Sequence, residues 1–195
     1  MLKAGITGGI GSGKSVVCQV FTALGIPVFN ADDAAKYLME NDPVLVQKIK
    51  ALFGDTVYIE GRLDRTQVSA VVYQHPQLLQ QLNALVHPAT IAYSRQWLDA
   101  QTSVPYIIKE AAIFFESGSS ADMDVMIGVY APKELRLKRT VARNGFSEEK
   151  VLDIMAQQMD EDEKMKRCNY VIVNDDKIAV LPQVLQLHEI LQKSR

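Results

Sequence analysis

The octapeptide Gly8-Gly9-Ile10-Gly11-Ser12-Gly13-Lys14-Ser15 fits the pattern G-x-x-x-x-G-K-[ST]. It follows the apolar run Ala4-Gly5-Ile6 and precedes Val16, Val17, Val20, Phe21 and Leu24, which recur at helical spacing. Strand, glycine loop and helix thus arrive in the order a phosphate-binding loop requires. Glycines permit backbone angles and a close approach that a side chain would block, so the N–H groups from Gly11 to Val16 can converge on phosphate. The positive end of the following helix adds to that field. Lys14 is placed to reach the β- and γ-phosphates of a nucleoside triphosphate, and the Ser15 hydroxyl to bind Mg2+.

The rest of the chain narrows the class. At 195 residues with 48% hydrophobic content, it is long enough for one core with an inserted lobe or lid. A formal net charge of -2 argues against nucleic acid or an anionic membrane as partner, and no long apolar stretch or cleavable leader is visible, so the cytoplasm is the expected location. Cys18 and Cys168 belong to no C-x-x-C pair, which points away from zinc and from a disulfide framework and toward small buried hydrophobes. Oligomeric state is not legible.

Five apolar runs read as strands: the one before the glycine loop, Ile26-Pro27-Val28-Phe29, Val104 to Ile108, Asp124 to Tyr130, and Tyr170 to Asn174. Their alternation with helical segments predicts an α/β fold with a doubly wound, five-stranded parallel sheet. The second run ends in Asn30-Ala31-Asp32. Asp32 therefore stands at a carboxyl strand end, where ligands gather, or else it caps the helix that follows. The run through Tyr106-Ile107-Ile108 ends in Lys109-Glu110, with Glu116 six residues on. Either acid suits a carboxylate that holds a Mg2+-bound water. After Pro132 a helix carries Arg139 and Arg143 four apart on one face, either as a phosphate clamp or as a solvated basic surface. From about 41 to 102 the pattern turns helical and more polar, which reads as an inserted lobe. Within it Gly61-Arg62-Leu63-Asp64-Arg65 forms a turn before a helix, and His87-Pro88 interrupts a long one.

Taken together these residues resemble the dephospho-CoA kinase family over nearly the whole chain. The similarity runs from Gly5 to Ser15, through Asn30-Ala31-Asp32 (where the family reads Asp-Ala-Asp), Phe53-Gly54, Gly61 to Arg65, His87-Pro88, Phe115-Glu116, Ile154 with Gln157, and Val171-Ile172-Val173-Asn174. The chain departs from the family at Asn30 and at Ala111-Ala112, which lacks the family's proline. The resemblance implies a P-loop NTPase/kinase fold divided into a core (1–40, 103–132, 168–195), a helical CoA-binding lobe (about 41–102) and a lid (about 133–167). It implies transfer of phosphate from ATP to the ribose 3′-hydroxyl of dephospho-CoA, with Mg2+ accompanying the nucleotide. The implied catalytic residues are Lys14, Asp32, Arg139 and Arg143, with Asp32 as base. ATP would be held by Gly9, Gly11, Ser12, Gly13, Lys14, Ser15, Val16 and Asn174, and the acceptor by Asp32, Leu63, Arg65 and His87.

Two other readings use the same loop. A kinase for a nucleoside or another metabolite alcohol would share Lys14 and Asp32 but not the Leu-Asp-Arg and His-Pro segments. A nucleotide-dependent switch or binding module would hydrolyse ATP or GTP only to change partners; against it, the sequence has no guanine-reading N/T-K-x-D motif and its inserted lobe reads as a substrate lid.

Overall fold

The computed structural model describes residues 1–193. The elements run β1 (Leu2–Thr7), α1 (Lys14–Ala23), β2 (Val28–Asn30), α2 (Ala31–Asn41), α3 (Pro43–Phe53), β3 (Tyr58–Ile59), β4 (Arg62–Leu63), α4 (Arg65–Gln74), α5 (Pro76–Asp99), β5 (Tyr106–Glu110), β6 (Val125–Tyr130), α6 (Lys133–Asn144), α7 (Glu148–Ala156), α8 (Glu161–Lys166), β7 (Tyr170–Val173) and α9 (Val180–Lys193). Two compact units emerge, residues 30–100 and, among the described residues, 1–29 with 101–193. No described helix is long and apolar enough to cross a membrane.

The larger unit is built on a five-stranded sheet in the order β2-β5-β1-β6-β7. β1 pairs in parallel with both β5 and β6, and Ile6 faces Glu110 on one side and Ile127 on the other. The five expected strands are these five. β1 is central because Ala4 and Ile6 are fully buried, as a strand covered on both faces requires. α1 and α9 close one layer over this sheet through Val17, Phe21, Val184, Leu187 and Leu191. Each such large apolar side chain contributes about 1.5 to 3 kcal/mol when fully buried. Phe21 meets Tyr106 edge-on at 6.3 Å between centroids, and the buried Tyr106 hydroxyl is satisfied by His188 Nδ1 at 2.6 Å. At the β7 edge the Gln183 amide donates to the Val173 carbonyl and accepts from the Val173 N–H, both at 2.9 Å, so the backbone of one edge residue is already paired.

The smaller unit has its own core of Leu38, Leu45, Ile49, Val57, Leu63, Val68 and Val86. Caps define its helices. Asp42 accepts from Val44 and Leu45 N–H before α3, and Asp64 from Gln67 N–H before α4. Glu60 and Gly61, at φ 50° and 80°, form the turn of the two-stranded β3–β4 hairpin. The expectation that His87-Pro88 interrupts the long helix is corrected: α5 runs 24 residues with Pro88 inside it. A proline removes only one helical hydrogen bond, and Val86 and Ala89, packed in the unit's core on either side of the His87-Pro88 pair, hold the helix through it.

Candidate active site

The glycine loop leaves the carboxyl end of β1, the strand on whose two sides the later strands are laid down, where open α/β sheets collect ligands. Gly13 caps α1 in the left-handed region, at φ 92° and ψ 23°. A Cβ there would lie 2.0 Å from Asn174 Nδ2, so this position is closed to side chains by both conformation and space. Gly11, at φ 80°, presses against the Arg136 carbonyl, which a Cβ would approach to 2.4 Å. Two loop amides close the turn internally: Ser12 N–H donates to the Gly9 carbonyl at 3.1 Å and Val16 N–H to the Gly13 carbonyl at 3.0 Å. Ser12 Oγ is buried with no hydrogen-bond partner among the described residues, while Ser15 is exposed in the first turn of α1.

Lys14 folds back on its own loop. Its Nζ donates to the Gly8 carbonyl at 2.8 Å and to the Gly9 carbonyl at 3.4 Å, and stands 4.0 Å from Glu110 Oε1. Glu110, the last residue of β5, is buried. Cys18, one helical turn beyond Lys14, is pushed up to about 12 by burial and by the Glu110 carboxylate, against the opposing pull of Lys14, so its thiol stays protonated and inert at neutral pH.

The other expected acid is engaged elsewhere. Glu116 Oε1 accepts from Lys164 Nζ and from Met159 N–H, both at 2.9 Å, and Lys164 is fully buried with a further bond to the Ala112 carbonyl. Burial alone would raise the Glu116 carboxyl, but the Met159 N–H and the Lys164 ammonium outweigh it and hold it below the usual range.

The basic helix divides. Arg139 Nη1 donates to the Asn174 carbonyl at 3.0 Å, and Nη2 reaches Asn174 Oδ1 at 3.4 Å and pairs with Asp176. Asn174 in turn donates from Nδ2 to the Ser12 carbonyl at 2.8 Å. Arg143 is exposed and bonds only to neighbouring Asn144 among the described contacts. Three residues that sequence reasoning passed over also touch the loop. Glu161 accepts from Gly9 N–H, the buried Arg136 pairs with Glu161, and Gln158 accepts from Ile10 N–H at 2.9 Å. The glutamine that meets the loop is thus Gln158, while Gln157 ends α7. Glu161 sits in the run Asp160 to Glu163, which on sequence alone looks like a solvated acidic turn, and no pattern signal singles it out.

In the smaller unit Asp32 is exposed in the first turn of α2, two residues beyond β2. Asn30 is the cap of that helix, accepting from Asp33 N–H at 2.8 Å. Leu63 is buried in the unit's core, Arg65 pairs with Glu40 at 2.8 Å, and His87 is exposed on α5. These four stand on α2, β4, α4 and α5.

A glycine loop between a buried parallel strand and a helix, with the lysine at its end beside a buried carboxylate of the neighbouring strand, defines a P-loop nucleotide-binding protein. The sequence profile of dephospho-CoA kinase matches residues 2–179. The chain belongs to the dephospho-CoA kinase family. It is 37% identical over 186 residues to the dephospho-CoA kinase of Bacteroides fragilis, covering 95% of this chain and 91% of that one. Among solved structures, a Thermus thermophilus protein superposes with a TM-score of 0.84 at 34% identity, over 100% of this chain and 98% of its own. Dephospho-CoA kinase from Campylobacter jejuni superposes with a TM-score of 0.70 at 26% identity, over 98% and 97%.

Proposed function

We propose that this chain transfers the γ-phosphoryl group of ATP to the ribose 3′-hydroxyl of dephospho-CoA, completing coenzyme A. The observation that carries this reading is that the family match spans residues 2–179, the helical unit as well as the phosphate loop. A shared loop alone would suit any P-loop kinase.

Phosphoryl transfer is catalysed mainly by positioning and by stabilising charge. The N–H groups of Gly11, Gly13, Lys14 and Ser15 hold the ATP phosphates, while Ser12 and Val16 N–H close the turn and Gly9 anchors it from outside. Lys14 exchanges its carbonyl partners for the β- and γ-phosphates. Asp32 orients the ribose hydroxyl and accepts its proton, and the capping duty that competed for it belongs to Asn30. Arg139 acts with Asn174 on the nucleotide side, and Arg143, extended from the exposed part of α6, meets the transferring group as the exposed stretch of the 133–167 segment around it closes and excludes water, while Arg136 and Glu161 stay fixed at the loop. Arg65 and His87 contact the acceptor, and Leu63 supports them by packing β4.

Among the described residues, no group of three or more His, Cys, Asp or Glu is gathered to hold a metal by itself. The donors at hand, the Ser15 hydroxyl and the Glu110 carboxylate, fit Mg2+ that arrives with its nucleotide, because that ion keeps several waters and takes phosphate oxygens. We assign Ser15 to the ion and Glu110 to one of its waters. Once bound, Mg2+ neutralises charge on the phosphates. We place the reaction in the cytoplasm.

A steady-state assay with ATP and dephospho-CoA tests the reading. Equimolar ADP and coenzyme A are expected. Equal turnover with nucleosides or simpler alcohols would favour the broader kinase reading, and ATP hydrolysis without acceptor phosphorylation the switch.

A further inference from the structure

The peptide group that joins Gly8 to Gly9 is bonded at both ends by ions. Its carbonyl accepts from Lys14 Nζ at 2.8 Å, and its N–H donates to both oxygens of Glu161, at 3.0 and 3.1 Å. Glu161 is 8% exposed and lies 3.5 Å from Arg136 Nη1. Arg136 is itself buried and fixed by a bond from Nε to the Ala131 carbonyl at 3.1 Å. The next amide, Ile10 N–H, is taken by Gln158. A Cβ on Gly9 would lie 2.1 Å from Arg136 Nη1 and 2.5 Å from Glu161 Oε2, so this glycine makes room for the protein's own ion pair.

Stability does not explain such a pair. Two buried charges cost desolvation that their attraction barely repays, and an apolar pair of similar volume is often as stable. Geometry does explain it. A peptide flanked by two glycines rotates more freely than any other, and this one lies next to the lysine that must find the phosphates. A carboxylate on the N–H and an ammonium on the C=O polarise the peptide in the same sense, so each bond strengthens the other.

We infer that Glu161, oriented by Arg136, is a positioning residue of the phosphate loop. It fixes the plane of the Gly8–Gly9 peptide and, through the Gly8 carbonyl, the resting place of the Lys14 ammonium. This role rests on the phosphoryl-transfer reading above.

The test compares wild type with R136M/E161M, R136Q/E161Q and K14A in kinetics and thermal unfolding. The Met pair leaves no charge buried and is expected to unfold near the wild-type temperature. Its kcat is expected to fall on the order of 100-fold, the scale of a misplaced catalytic group, with KM for dephospho-CoA unchanged. The Gln pair keeps an acceptor for Gly9 N–H and recovers most of the loss. Wild-type kcat in the Met pair, or a Gln pair no better than the Met pair, overturns the proposal. Should the Met pair not fold, hydrogen exchange on the nucleotide-free wild type decides: a protected Gly9 amide supports the clasp, and exchange at the rate of an open loop overturns it. K14A separates the two levels. Full turnover in K14A sinks the phosphate-loop reading itself, whereas lost turnover there with an unaffected Met pair sinks only the role of Glu161.

Discussion

Asn30 and Asp32 show how one residue's position can decide another's role. Both stand where the family reads an acid, and the neutral one caps α2 through Asp33 N–H while the charged one is exposed in the first turn. Asp32→Asn is therefore expected to leave helix capping intact and to cost at most about 1 kcal/mol from the lost helix-dipole interaction. Turnover should fall about 10²- to 10⁴-fold, or roughly 3 to 5 kcal/mol of barrier, because the proton acceptor proposed above is gone. Thermal unfolding and steady-state rates on one preparation check both numbers. Full activity in that variant would return Asp32 to the solvated surface.

At the scale of elements, α6 carries two arginines of one helical face into different surroundings. Arg139 ties the helix to the turn after β7, and Asn174 passes that tie to the Ser12 carbonyl within the glycine loop. Arg143 extends from the last turn of α6, before Gly145 ends the helix at φ 64°. A lysine cannot reproduce the guanidinium fork that spans Asn174 and Asp176. Arg139→Lys is thus expected to lower kcat/KM for ATP about tenfold, equivalent to roughly 1.4 kcal/mol. Arg143→Lys should instead lower kcat with little change in KM for ATP, since the contact proposed for it is one made only during transfer. Identical kinetics for the two variants would show that the tie to Asn174 does nothing for the nucleotide.

For the molecule as a whole, acid should be more damaging than alkali. Glu116 is held below the ordinary glutamate range in the fold, so the stability it contributes is fully present above that range. It is lost as the pH falls through the folded value. Protonation leaves the fully buried Lys164 ammonium with only the Ala112 carbonyl among its described partners. Glu116→Gln should cost about 2 kcal/mol at neutral pH, toward the lower end for a charged hydrogen bond because Glu116 still meets solvent. It should also flatten the fall of stability below the glutamate range. Denaturant midpoints across that range, measured for both proteins, give the comparison, and parallel curves would mean that another carboxylate governs the acid transition.

The phosphate loop, the five strands and the helical lobe were legible in the sequence because each is specified locally. Glycines at left-handed positions, a lysine and serine at fixed offsets, and apolar periodicities of two and 3.6 residues all act over a few residues. The separation of Glu110 from Glu116 was not legible, since both follow apolar stretches. Only packing brought one beside Lys14 and gave the other to Lys164. The same limit hid Glu161, whose bond to Gly9 N–H spans 152 residues. It also made Asn30 look like a lost acid when it serves as a cap. A residue type and its offset determine what chemistry is available. Which of several equivalent carboxylates or arginines performs it depends on desolvation and on hydrogen-bond partners far away in the chain, and these exist only once the sheet and its helices have assembled.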